Sequence, residues 1–147
     1  MLTKNLLVLT TIIFSSLVSA QVIRFSHTDF GRDGFGQYYY NCTSAESSLE
    51  GYLAELGVQD VRVNCYGGIE NWGMFPITLE ARFTAPQGQT ETEVLFSSRQ
   101  RGDSSCFFHT KLLNALLAKL AHVKVISKRD RCSSQDSSWS YKLSVKK

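Results

Sequence analysis

Cys106-Phe107-Phe108-His109 is the segment whose residue types come nearest to a reaction centre. It sets a thiol at the start of an expected helix with an imidazole one turn on. A helix N-terminus and a neighbouring base are what lower a thiol pKa enough to make a nucleophile. Against that use, the cysteines Cys42, Cys65, Cys106 and Cys132 form an even set, which in a small exported domain reads as two disulfides. No third residue can be named to orient the histidine, and a single C-x-x-H lacks the second ligand pair of a zinc site. No catalytic residue, metal or cofactor is therefore assigned. A small thiol enzyme or hydrolase using Cys106 and His109 stands as the alternative to a non-catalytic protein.

The remaining candidates for chemistry are weaker. Glu46 and Glu50 lie one helical turn apart, and Glu91 and Glu93 share one face of a strand. An acid–base pair needs surroundings that split the two pKa values, whereas carboxylates of this kind belong by default on a solvated surface. No G-x-S-x-G elbow is present. Gly31, Gly34 and Gly36 precede no capped helix and no lysine that would close a phosphate loop, so they read as a lead-in. The stretch from Tyr66-Gly67-Gly68 to Asn71-Trp72-Gly73 reads as a turn-rich connection, with Trp72 packed against its own domain. Asn41-Cys42-Thr43 matches a glycosylation acceptor, but Cys42 is claimed by a disulfide.

Charge is the clearest functional signal. Residues 21–98 hold four basic and ten acidic residues, whereas residues 99–147 hold eleven basic and three acidic. Lys124, Lys128, Arg129, Arg131, Lys142 and Lys146 fall on the last expected hairpin, and Lys147 on its tail. Like charges gathered on one surface add their fields, so this hairpin is a candidate patch for an anionic polymer, an anionic headgroup or an acidic protein surface. Two other uses compete with it. The basic half can meet the acidic half, in the same molecule or in a homodimeric structural envelope component, and lysines on an edge strand guard against edge-to-edge aggregation. Nucleic acid is the anion least suited, because no recognition motif appears and the chain carries an export pattern.

Those side chains must be positioned by elements that the hydrophobic pattern makes legible. Thr43-Ser44-Ala45-Glu46 has the form of a capping box, Leu49, Tyr52, Leu53 and Leu56 make one apolar stripe, and Gly57 fits a left-handed cap. The helix is expected over 44–56. A second helix is expected over 105–121, burying Phe108, Leu112, Leu113, Leu116, Leu117 and Leu120, with Lys111 facing away. Ile77, Leu79, Ala81 and Phe83 alternate with polar residues, as do Trp139, Tyr141, Leu143 and Val145, which is the pattern of strands with one buried face. Shorter strands are expected over 38–41, 60–65, 93–97 and 123–127.

Laid on itself at an offset of 64, the chain matches Cys42 with Cys106, Leu53 with Leu117, Ile77 with Tyr141 and Leu79 with Leu143. The expected fold is α+β, with two β-α-β-β units (repeat halves about 37–84 and 92–146) forming an antiparallel-rich sheet with two helices on one face. If the first and third elements of each unit are parallel neighbours, the bridges are Cys42–Cys65 and Cys106–Cys132.

Residues 1–20 have the form of a signal peptide. Lys4 precedes an apolar run that ends in Val18-Ser19-Ala20. The run is too short and too interrupted by Thr10, Thr11, Ser15 and Ser16 for a membrane anchor, leaving 21–147 as a single domain, periplasmic or extracellular. Of the 147 residues, 43% are hydrophobic and 20% charged, which excludes a disordered chain and a multi-span membrane protein. The expected function is a non-catalytic, disulfide-stabilised binding protein that uses the basic C-terminal hairpin.

Overall fold

Strict alternation places the two most regular strands at the centre of their sheets. The computed structural model describes residues 20–33, 36–37, 40–70, 73–100, 105–133 and 137–147. Its elements are β1 (Val22–Asp29), β2 (Arg32–Asp33), β3 (Gly36–Gln37), α1 (Cys42–Glu55), β4 (Gln59–Glu70), β5 (Gly73–Thr84), β6 (Glu91–Gln100), α2 (Ser105–Leu117), β7 (Val123–Arg131) and β8 (Ser137–Lys146). β5 buries Ile77, Leu79, Ala81 and Phe83, and β8 buries Trp139, Tyr141, Leu143 and Val145.

The strands form two antiparallel sheets of three, ordered β1-β5-β4 and β6-β8-β7, with β2 and β3 a separate short pair. Each unit is thus β-α-β-β with its last strand in the middle. The α+β class and the twofold unit agree with the sequence reading, while the expected single sheet is divided in two. Because β5 lies between β1 and β4, the first and third elements of a unit are not neighbours. They nevertheless run in the same direction, since each is antiparallel to β5.

Two regions differ from expectation. The first strand of the first unit is β1, not a strand over 38–41, where Tyr40 and Asn41 are irregular and residues 38 and 39 lie outside the described residues. The stretch read as a turn-rich connection is mostly strand. β4 extends to Glu70 and β5 begins at Gly73, with a bulge between Tyr66 and Gly68. Gly68 has φ +81°, and a Cβ there would stand 2.5 Å from the Tyr40 carbonyl oxygen, so the bulge requires glycine. Trp72 and residues 1–19, which include nearly all of the expected leader, lie outside the described residues.

Both helices lie where their apolar stripes predict, with shifted ends. α1 starts earlier than expected, and its N-cap is Asn41, whose Oδ1 accepts from the Ser44 N–H at 2.7 Å. That replaces the expected Thr43 cap with an equally good one. Gly57, at φ +71°, closes the helix in the left-handed conformation. α2 stops at Leu117 rather than at 121, tightening into i→i+3 bonds from Lys119 to Leu116 and from Leu120 to Leu117. Leu117 is consequently only half-buried, whereas Leu120 stays in the core.

The two units share one hydrophobic core. Lys111, expected to face solvent, instead crosses between units and places its Nζ 3.5 Å from Oδ1 of the buried Asp29 in β1. Both expected disulfides are present, Cys42–Cys65 with Cα atoms 5.4 Å apart and Cys106–Cys132 with Cα atoms 5.6 Å apart. Cys42–Cys65 ties the start of α1 to β4, and Cys106–Cys132 ties the start of α2 to the residue just after β7. Among the described residues, no helix is long and apolar enough to cross a membrane.

Candidate functional site: charged sheet faces

The thiol–imidazole pair is not formed. Cys106 is bonded to Cys132, no described cysteine is free, and the thiol-nucleophile alternative falls with it. His109 is held elsewhere. Its Nδ1 lies 2.7 Å from the Tyr52 hydroxyl and its Nε2 3.2 Å from the Tyr40 hydroxyl, and its ring stacks on Trp139 with centroids 5.6 Å apart. A neutral imidazole has one donor and one acceptor, so one tyrosine donates to it and the other accepts. Tyr40 and Tyr52 come from the first unit, His109 and Trp139 from the second. This cluster is a polar clasp across the shared core, and burial drives the Tyr52 phenol well above its ordinary range. Tyr141 is also pushed up, to about 12, first by burial and then by the Asp130 carboxylate.

Two other histidines make the fold acid-sensitive. Burial lowers the pKa of His27, which faces Asp29 and Lys111, and burial lowers that of His122, whose bond to the Leu56 backbone offsets it in part. The Nε2 atoms of both are buried with no partner among the described residues. Unfolded histidine takes up a proton near pH 6.5, before either folded one does. Stability is therefore complete above that pH and declines as pH falls from about 6.5 toward the lowered values. The melting temperature is expected to be lower at pH 5.0 than at pH 7.5, and the difference to shrink in the His27→Gln/His122→Gln variant. An equal pH response in that variant would remove these histidines as its cause.

Among the described residues, no three histidine, cysteine or acidic side chains are placed to hold a metal ion. The glutamate pairs lie on the surface. Glu93 takes Lys142 at 3.0 Å and Glu91 accepts from the Ser144 hydroxyl at 3.2 Å.

Cross-strand register shows where the hairpin cations point. Lys124 opposes Ser144, Arg129 opposes Ser140 and Arg131 opposes Ser138, and directly opposed residues share a face. Those three, with Lys142 and Lys146, occupy the face of the second sheet that points away from α2. Lys146 opposes Glu91 in register. Lys128 opposes Tyr141 on the other face, where its Nζ sits 5.6 Å from that ring centroid and 2.9 Å from Asp130. Lys142 and Lys128 are thus partly neutralised, while Lys124, Arg129 and Arg131 have no ion pair among the described residues.

A second cationic group went unseen in the sequence. In the first sheet Arg24 opposes Arg82, and Arg82 opposes Arg62, so one row across three strands is all arginine. The next row is Ser26, Glu80 and Asn64. These side chains are exposed and frame a shallow depression of about 400 Å³. The only sequence signal was arginine at outward positions of alternating strands. Their alignment depends on β1, whose alternation is broken by polar His27 and Asp29, and on a bulge between Gln59 and Arg62 that brings Arg62 into register. Compared with protein-family models, with curated proteins and with solved structures, the chain matches none of them.

Proposed function

We propose that this is an exported, non-catalytic binding protein, periplasmic or extracellular, that holds an extended acidic protein segment along β7. The observation that carries this reading is the state of β7. It is an edge strand exposed along almost its whole length, and its outward cations Lys124, Arg129 and Arg131 lack ion pairs among the described residues. An open edge offers backbone donors and acceptors to an added strand, and cations flanking it select an acidic one. The two disulfides support the oxidising compartment that export implies.

Titration of a fluorescent oligoglutamate peptide tests this. Three exposed ion pairs at about 0.5 kcal/mol each correspond to an affinity loss of about tenfold in the Lys124→Gln/Arg129→Gln/Arg131→Gln variant, with wild-type binding weakening as salt rises. Equal binding by variant and wild type would reject the β7 site. Binding of a sulfated polysaccharide with none of the peptide would replace the acidic segment by a carbohydrate polymer.

A further inference from the structure

We infer that the outer face of the first sheet is a second binding site, for a sugar residue carrying a sulfate or phosphate ester, with Arg24, Arg82 and Arg62 holding the ester and Ser26, Glu80 and Asn64 the sugar hydroxyls. The site lies on a different sheet from β7 and does not depend on the reading given for that strand.

The first observation is electrostatic. Like charges placed directly opposite across strands destabilise a sheet, and here the central strand's Arg82 faces an arginine on both sides. No direct ion pair among the described residues relieves this. Among the described residues, none of the three guanidiniums has an ion pair or a side-chain hydrogen bond, and Glu80 has none either. A row that costs stability and is left uncompensated by the protein is suited to compensation by an anion.

The second observation is the shape and number of the donors. Neighbouring strands lie about 4.8 Å apart, so the three Cα positions span about 10 Å, a distance that long guanidinium side chains close over a single group. A carboxylate has two oxygens, whose four lone-pair sites lie in one plane and accept donors only around that plane. A sulfate or phosphate ester presents three terminal oxygens and accepts forks from several directions. Three arginines in one row therefore fit the tetrahedral ester better than the planar carboxylate.

The third observation is the adjacent row. Ser26, Glu80 and Asn64 lie two residues along their strands, about 7 Å from the arginines, and supply a hydroxyl, a carboxylate and an amide. A carboxylate beside a purely anionic ligand would repel it. Beside a sugar it accepts from ring hydroxyls, while the amide and hydroxyl both donate and accept. A depression of about 400 Å³ framed by both rows accommodates a unit of this size.

Calorimetric titration with galactose 6-sulfate, glucose 6-phosphate, inorganic phosphate and unmodified glucose tests the assignment. One of the sugar esters is expected to bind saturably, and which one identifies the ester. Glucose is expected not to bind. Arg82→Gln and, on the edge strand, Arg24→Gln should each weaken the ester about 10- to 100-fold, the loss of a charge-assisted hydrogen bond. Lys119→Gln removes the same charge elsewhere and should retain the affinity. In the absence of ligand, Arg82→Gln should melt about 2 °C above wild type, since it removes two like-charge contacts. That expectation also guards against a variant that fails to fold. Failure of both esters to bind, or equal affinity in the arginine variants, overturns the site. Inorganic phosphate binding as tightly as the sugar ester overturns the sugar assignment.

Discussion

Replacing Cys106 and Cys132 together by alanine should lower the unfolding free energy by about 3.5 kcal/mol. The bridge spans 26 residues, and cross-linking a loop of that length removes conformational entropy from the unfolded chain by roughly that amount. Cys106 is fully buried, so the exchange of sulfur for hydrogen also costs some packing. The Cys42–Cys65 bridge spans 23 residues, and its removal is expected to cost nearly as much. The two bridges lie in different units and share no partner, so their losses should add. Together they amount to about 7 kcal/mol, within the 5 to 15 kcal/mol by which a typical domain is stable. The protein should therefore be folded when oxidised and largely unfolded under strong reductant at 37 °C. Urea titration of the two double-alanine variants measures each loss. A loss below about 1 kcal/mol in either would show that the unfolded chain is not restrained by that bridge.

Phe108→Ala should cost about 3 to 5 kcal/mol, the range for a fully buried aromatic. Phe108 belongs to α2, yet its ring stacks on Tyr40 of the first unit with centroids 4.0 Å apart and planes 14° from parallel. Tyr40 in turn contacts His109. Truncation thus opens a cavity at the seam between units and loosens one arm of the clasp. If the seam makes the molecule a single cooperative unit, the variant should still unfold in one transition with an unchanged denaturant slope and a lower midpoint. Two separate transitions in the wild-type protein would show that the units fold independently and that the seam contributes little. The same measurement on Phe83→Ala, buried beneath the first sheet, gives the cost of an aromatic truncation on β5 for comparison.

What was legible in the sequence depended on how completely each segment buried one face. β5 and β8 are central strands with every inward position apolar, apart from the glycine-bearing and polar ends, and their alternation could not be mistaken. β1 presents Ile23, Phe25, His27 and Asp29 inward. Two of those four are polar, so the alternation that marks a strand is broken by the side chains that answer Lys111 from the other unit. The helix stripes were plain, while the Asn41 cap was not, because Asn41 and Thr43 offer the same chemistry two residues apart. The disulfide pairing followed from spacing and from the repeat. Its geometric basis differs from the expected one, since β1 and β4 run in the same direction without being neighbours, with β5 between them.

By itself, then, the sequence determined what is local and repeated: helix faces, caps, the central strands, two cystine loops of similar length and a twofold β-α-β-β plan. Those features depend on neighbours a few residues away, where period and rotamer dictate the outcome. Only the tertiary structure decided the strand order, the clasp of His109 between tyrosines of the other unit, and the surface on which each charge lies. Counted along the chain, residues 21–98 are acidic. Arranged in space, that segment carries the arginine row, because pairing register and a single bulge bring Arg24, Arg82 and Arg62 abreast on one face. Electrostatic fields follow distance through space, and distance across a sheet is set by partners that lie about 20 to 60 residues apart.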